Sequence, residues 1–120
     1  MLNLSHKKLD VYKISIKLIK EVYKQTKSFP AEEKFLLVNQ LRRAAISVCS
    51  NIAEGAARRS KLEKKRFLEV SRSSLVEIDT QLEISFEIEY LEVNEIKELE
   101  NYLERIFMML TAMINKLETE

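Results

Sequence analysis

Glycine and proline are nearly missing: Gly55 and Pro30 are the only ones in 120 residues. So few turn-formers exclude a chain of many short strands and leave long helices as the expectation. Histidine occurs once, at His6. A di-iron bundle needs a Glu-x-x-His motif from each of two helices, so that class is excluded. An arginine–histidine ribonuclease would need a histidine on a late helix and finds none. The single cysteine, Cys49, rules out an internal disulfide and suits a reducing compartment. No Cys/His cluster suits zinc, and Cys49 has no neighbouring base to make it a nucleophile. It reads as a small buried hydrophobe. No apolar run approaches the ~18 residues of a membrane span, and MLNLSHKKLD lacks the apolar stretch of a secretory leader. The expectation is a cytoplasmic protein off the membrane, not an enzyme, with no metal or cofactor.

What is present is charge and helical period. Residues 1–72 carry 17 Lys/Arg against 7 Asp/Glu, and residues 73–120 carry 3 against 12. A net charge of +1 therefore hides a strong polarity, suited to an anionic partner or to head-to-tail self-association.

The length fits one domain over residues 1–120, with a core that needs no staples. Four helices follow from periodicity, at about 10–28, 31–57, 61–90 and 95–118. In the first, Leu9, Tyr12, Ile16, Ile19, Tyr23 and Thr26 step by three and four as a core seam. Lys13, Lys17, Lys20, Lys24 and Lys27 keep the same steps opposite them, within an arc of about 80° and along roughly 21 Å. Such a ridge is a solvated face or a rail for phosphates.

Pro30 suits the first turn of the second helix, with Glu32 and Glu33 near its positive end. Leu37, Leu41, Ala44, Ala45, Val48, Cys49, Ile52, Ala53 and Ala56 cover more arc than one core face needs, which suggests a subunit interface. Ser60 and Glu63 form a capping box for the third helix. Its seam is Leu68, Leu75, Ile78 and Leu82, with Ser71 and Ser85 as small spacers. Asn94 suits the N-cap of the fourth, whose seam is Ile96, Leu99, Leu103, Ile106, Leu110, Met113 and Leu117. Short connections imply an all-α, up-down-up-down antiparallel four-helix bundle.

A polar stripe runs along the second helix: Gln40, Arg43, Ser47, Asn51, Glu54 and Arg58 share about 80° of arc. Mid-helix Ser and Asn are mediocre helix formers, so packing or a ligand must justify them. The stripe is either a polar network fixing helix register or subunit contacts, or a polar groove for a ligand or nucleic acid. Gly55 beside it reads as a place of close backbone approach or as the release of the helix into the Ser60 cap. A lone glycine makes no phosphate loop. The acidic run from Glu83 through Glu87, Glu89, Glu92, Glu95 and Glu98 to Glu100 reads as a solvated or subunit-facing surface rather than an ion site.

The segment QLRRAAISV, continued by NIAEG and Arg58, resembles the four-helix bundle proteins known as 23S ribosomal RNA intervening sequence proteins. The resemblance extends from LDVYKISIKLIKEVYKQT to the Tyr90–Leu91 pair. Cys49 departs from the proline or other small residue common there, and Ala57 from the common glycine. It implies a cytoplasmic bacterial bundle assembled as a homopentamer, with no established reaction. It also implies relation to the accessory variability protein of diversity-generating retroelements, which binds nucleic acid and a reverse transcriptase. Arg43, Asn51, Glu54, Gly55 and Arg58 are its motif positions. Two functions follow as expectations. One is binding of RNA or DNA through Lys13, Lys17, Lys20, Lys24, Arg58, Arg59, Lys61, Lys64, Lys65 and Arg66. The other is a protein-interaction scaffold, for example an accessory subunit of a reverse transcriptase.

Overall fold

In the computed structural model, which describes residues 1–119, four helices carry almost the whole chain. They are α1 (Asp10–Thr26), α2 (Leu37–Ala57), α3 (Lys61–Glu87) and α4 (Val93–Thr119), with short 3₁₀ turns at Ser5–Lys8 and Ala31–Glu33. Each helix packs on its neighbours in the cycle α1–α2–α3–α4–α1, and among the described residues the backbones of the diagonal pairs do not approach closely. Cross-helix partners give the register. Gln40 meets Gln81 and Ser47 meets Ser74, so α2 and α3 run antiparallel. Arg72 meets Thr111 and Lys65 meets Glu118, so α3 and α4 do too. The result is an antiparallel four-helix bundle measuring 45 × 30 × 21 Å.

The core corrects the α1 seam. Val11, Ile14, Ser15, Leu18 and Val22 are buried, whereas Ile16 is 38% exposed and Leu9 is exposed as well. Tyr12, Ile19 and Tyr23 are half-buried on the α2 side, where the Arg42 guanidinium sits 4.4 Å from the Tyr23 ring. The reason is geometric. At 100° per residue the lysine ridge lies about 160° from the Val11–Leu18–Val22 stripe but only about 90° from the expected one. Ser15 and Thr26 enter the core at little cost because each hydroxyl donates to the carbonyl four residues back, at 2.7 Å. In α2 the core also takes Val38, and in α4 Ile114 is buried where Met113 is half-buried.

Helix ends differ from the expected bounds for local reasons. Phe29 turns inward onto Tyr90, with ring centroids 5.2 Å apart. The chain then makes a separate 3₁₀ turn after Pro30, so α2 starts at Leu37 and Glu32 and Glu33 cap nothing in it. α3 stops at Glu87 in a Schellman motif: Tyr90 N–H donates to the Ser85 carbonyl and Glu89 N–H to that of Phe86. Glu89 occupies the left-handed position, φ 66°. α4 begins at Val93, and Glu95 reaches back to accept from the Glu92 N–H at 2.9 Å, so Asn94 lies inside the first turn rather than capping it.

Candidate nucleic-acid interface

The α2–α3 connection is three residues long, and its shortness depends on Gly55. A Cβ there would lie 3.2 Å from the Phe67 Cβ and 3.4 Å from the Lys64 carbonyl oxygen. Gly55 is therefore the point where the first turns of α3 press onto α2, two residues before α2 ends at Ala57. Ser60 starts α3 as expected, its Oγ accepting from the Glu63 N–H at 3.1 Å. This tight junction carries the cations Arg58, Arg59, Lys61, Lys64, Lys65 and Arg66 on one end of the molecule.

They are not equivalent. Arg58 pairs with Glu54 at 2.9 Å, lies 4.7 Å from the Phe67 ring, and has a buried Nε without a partner among the described residues. Lys65 pairs with Glu118 across α4 at 3.0 Å; that hydrogen bond, then the carboxylate's charge, raises its pKa. Lys64 donates to the Ala56 carbonyl at 3.3 Å and keeps further donors. Arg59, Lys61 and Arg66 are exposed, and among the described residues none is in an ion pair. Phe67, which seats Arg58, has no separate mark in the sequence beyond its place in a basic turn.

Lys13, Lys17, Lys20 and Lys24 are likewise exposed without an ion pair among the described residues. They do not join the junction cluster into one patch. α1 and α3 are diagonal, so the ridge and the cluster face different sides and converge only where both helices begin. Lys7 and Lys8, which the sequence reading passed over, precede α1 at that same end, and Lys7 donates to the Leu2 carbonyl.

The polar stripe of α2 lies against α3. Ser47 and Ser74 share a hydrogen bond at 2.9 Å, and Asn51 donates to the Ser47 carbonyl at 2.8 Å and to its Oγ at 3.0 Å. Ser71 on α3 returns the arrangement by donating to the Val48 carbonyl at 2.7 Å. These bonds satisfy the polar groups of the mid-helix Ser and Asn where the two helices pack. Arg43 is exposed at the margin of a shallow hollow beside Gln40, Ser74, Glu77 and Gln81. Ser74 completes the seam and was missed in the sequence, although it sits one turn from Ser71 on the same face.

Among the described residues no group of acids, histidines and cysteines is placed to hold a metal. No described helix is long and apolar enough to cross a membrane. Cys49 is buried, which raises its pKa against a smaller opposing effect from the Tyr12 hydrogen bond.

Residues 7–112 match the family described as 23S rRNA-intervening sequence protein. The chain belongs to that family. A solved structure from Bacteroides thetaiotaomicron VPI-5482, a protein of unknown function from the S23 ribosomal protein family, superposes with a TM-score of 0.80. The two are 22% identical, and the superposition covers 87% of this chain and 97% of that one. That likeness shows the fold. No curated protein matches the chain. The family is one of unknown function.

Proposed function

We propose that the protein is a non-catalytic nucleic-acid-binding bundle that engages RNA phosphates through the end of the molecule where α2 meets α3. The observation that supports it most is that Arg59, Lys61, Lys64 and Arg66 crowd one short junction without a carboxylate partner among the described residues. Exposed cations of this kind contact phosphates and carry little sequence information. Tyr12, Tyr23 and Phe67 are engaged by His6, Arg42 and Arg58, so these three rings offer no free stacking platform.

Filter binding of a structured RNA in rising salt tests this reading. Affinity should fall log-linearly with salt, and the triple variant Arg59→Glu, Lys61→Glu, Arg66→Glu should flatten the slope by about 2–3. The paired change Lys17→Glu, Lys20→Glu on the α1 ridge should leave most of the slope. Absence of binding at low salt, or a triple variant indistinguishable from the parent, would reject the junction as the RNA surface.

A second reading, self-association into a ring such as the homopentamer, draws on a different observation. The α1–α2 face exposes Ile16 and, at 43%, Ile46, among Lys13, Lys20 and Arg42. The opposite α3–α4 face exposes Val76, Phe107 and, at 70%, Met108, among Asp79, Glu100 and Glu104. The two faces are complementary in charge and both apolar at the centre, as a heterologous contact requires. Met108→Glu should then shift sedimentation to the monomer; an unchanged oligomer, or a monomeric parent, argues against it. Such a ring would also serve as a scaffold for a protein partner such as a reverse transcriptase.

A further inference from the structure

The two ends of the bundle close the core differently. At the end holding the α3–α4 connection, Phe29 packs at a tilt on Tyr90, and Leu91 is buried at the same end, forming an apolar plug. At the opposite end no aromatic residue is among the described residues that line the centre. A hollow of about 400 Å³ opens there, floored by Ile52 and Leu68 and walled by Leu9, Met113 and Leu117. Ile52 is only 1% exposed, so the hollow reaches the core itself. Gly55 and Ala56 keep it open from the α2 side, since neither sends a long side chain into it.

The chemistry of the lining selects an occupant. Water on this floor would find few polar partners, whereas an alkyl chain would bury its surface. Among the described residues, the charged groups that line the hollow are Lys64 and Lys116, and Lys64 is the one whose remaining donors face the rim. Lys64 spends one donor on the Ala56 carbonyl and retains two. Arg59 and Lys61 lie in the junction at the same end of the bundle. The volume lies within the range of ordinary small-molecule sites and holds roughly ten non-hydrogen atoms at about 30 Å³ each, with room to spare at the open side.

We propose that this unplugged basic end is a binding site for a monomeric amphipathic anion, an alkyl carboxylate of about eight to ten carbons. The tail lies on Ile52 and Leu68, and the carboxylate meets the Lys64 ammonium at the rim. The site does not depend on the nucleic-acid reading, and either can fail alone.

The test is methionine-methyl NMR of the full chain titrated with sodium decanoate below its micellar range. Met113 lines the hollow, while Met108 lies on the α3–α4 face and serves as an internal control. The Met113 signal should shift saturably while Met108 stays still. Each methylene added between hexanoate and decanoate should tighten binding by up to about fourfold, the equivalent of ~0.8 kcal/mol per buried methylene. Decyltrimethylammonium, with the same tail and the opposite charge, should leave Met113 unmoved, as should phosphatidylglycerol vesicles. Lys64→Glu should weaken decanoate by about tenfold or more, and Leu117→Trp, which narrows the mouth, should abolish saturation. Equal shifts with the cationic detergent, parallel movement of Met108, a response to vesicles in place of decanoate, or no shift would each overturn the proposal.

Discussion

Glu89 carries a conformation that its side chain does not favour. At φ 66° the Cβ of an L-residue crowds the following carbonyl, and the Schellman bonds around it pay for holding it there. Glu89→Gly should remove that crowding at a modest cost in unfolded-state entropy, for a net stabilisation of about 0.5–1 kcal/mol. Thermal melts followed by circular dichroism would read this as a rise of a few degrees; a fall would mean that the Glu89 side chain contributes more than its geometry costs. Residue-scale signals in the sequence were uneven for the same reason. Ser60 announces a helix start because its hydroxyl, written in the residue type, takes the Glu63 N–H that would otherwise lack a partner. Nothing in EIEYLE marks a left-handed stop, since the glycine that usually occupies it is missing. Gly55 is the reverse case: its smallness was visible, but only the 3.2 Å approach of Phe67 distinguishes close packing from a helix end.

α1 shows how an element can be recognised while its orientation is misread. Two apolar stripes lie on it, and both keep helical steps, so periodicity alone cannot rank them. The lysine ridge can, because a solvated face must oppose the core, and Val11, Leu18 and Val22 are the residues that do. Leu18→Ala should therefore cost about 2–5 kcal/mol, as expected for a fully buried leucine. Ile16→Ala should cost less than about 1 kcal/mol in the monomer. Urea denaturation of the two variants checks the assignment, and equal losses would restore the Tyr12–Ile16–Ile19 stripe to the core. In α3 the seam Leu68–Leu75–Ile78–Leu82 was legible without help, because the helix has only one apolar stripe and Ser71 and Ser85 fall on it. The α2 stripe was legible as a set but not as a destination. That Ser47 and Asn51 face a neighbouring helix depends on Ser71 and Ser74, more than twenty residues away.

Across the whole molecule, antiparallel packing rearranges the charge that the sequence divides between its halves. The basic start of α3 lies beside the end of α2 and the start of α1, while its acidic end and the start of α4 lie at the far side of a 45 Å body. Lys7, Lys8, Arg59, Lys61, Lys64 and Arg66 thus mark one pole, and Glu83, Glu87, Glu89, Glu92, Glu95 and Glu98 mark the other. The halves of the chain are not the halves of the particle. With a net charge of +1 and this layout, the protein should behave as an electrical compass needle. In an applied field it should turn its long axis into line, and pulsed electric birefringence at low ionic strength should reveal a permanent moment. Replacing Arg59, Lys61 and Arg66 with glutamate should shrink that moment severalfold. On the nucleic-acid reading proposed above, the same torque should act before contact and turn the junction end toward the polyanion.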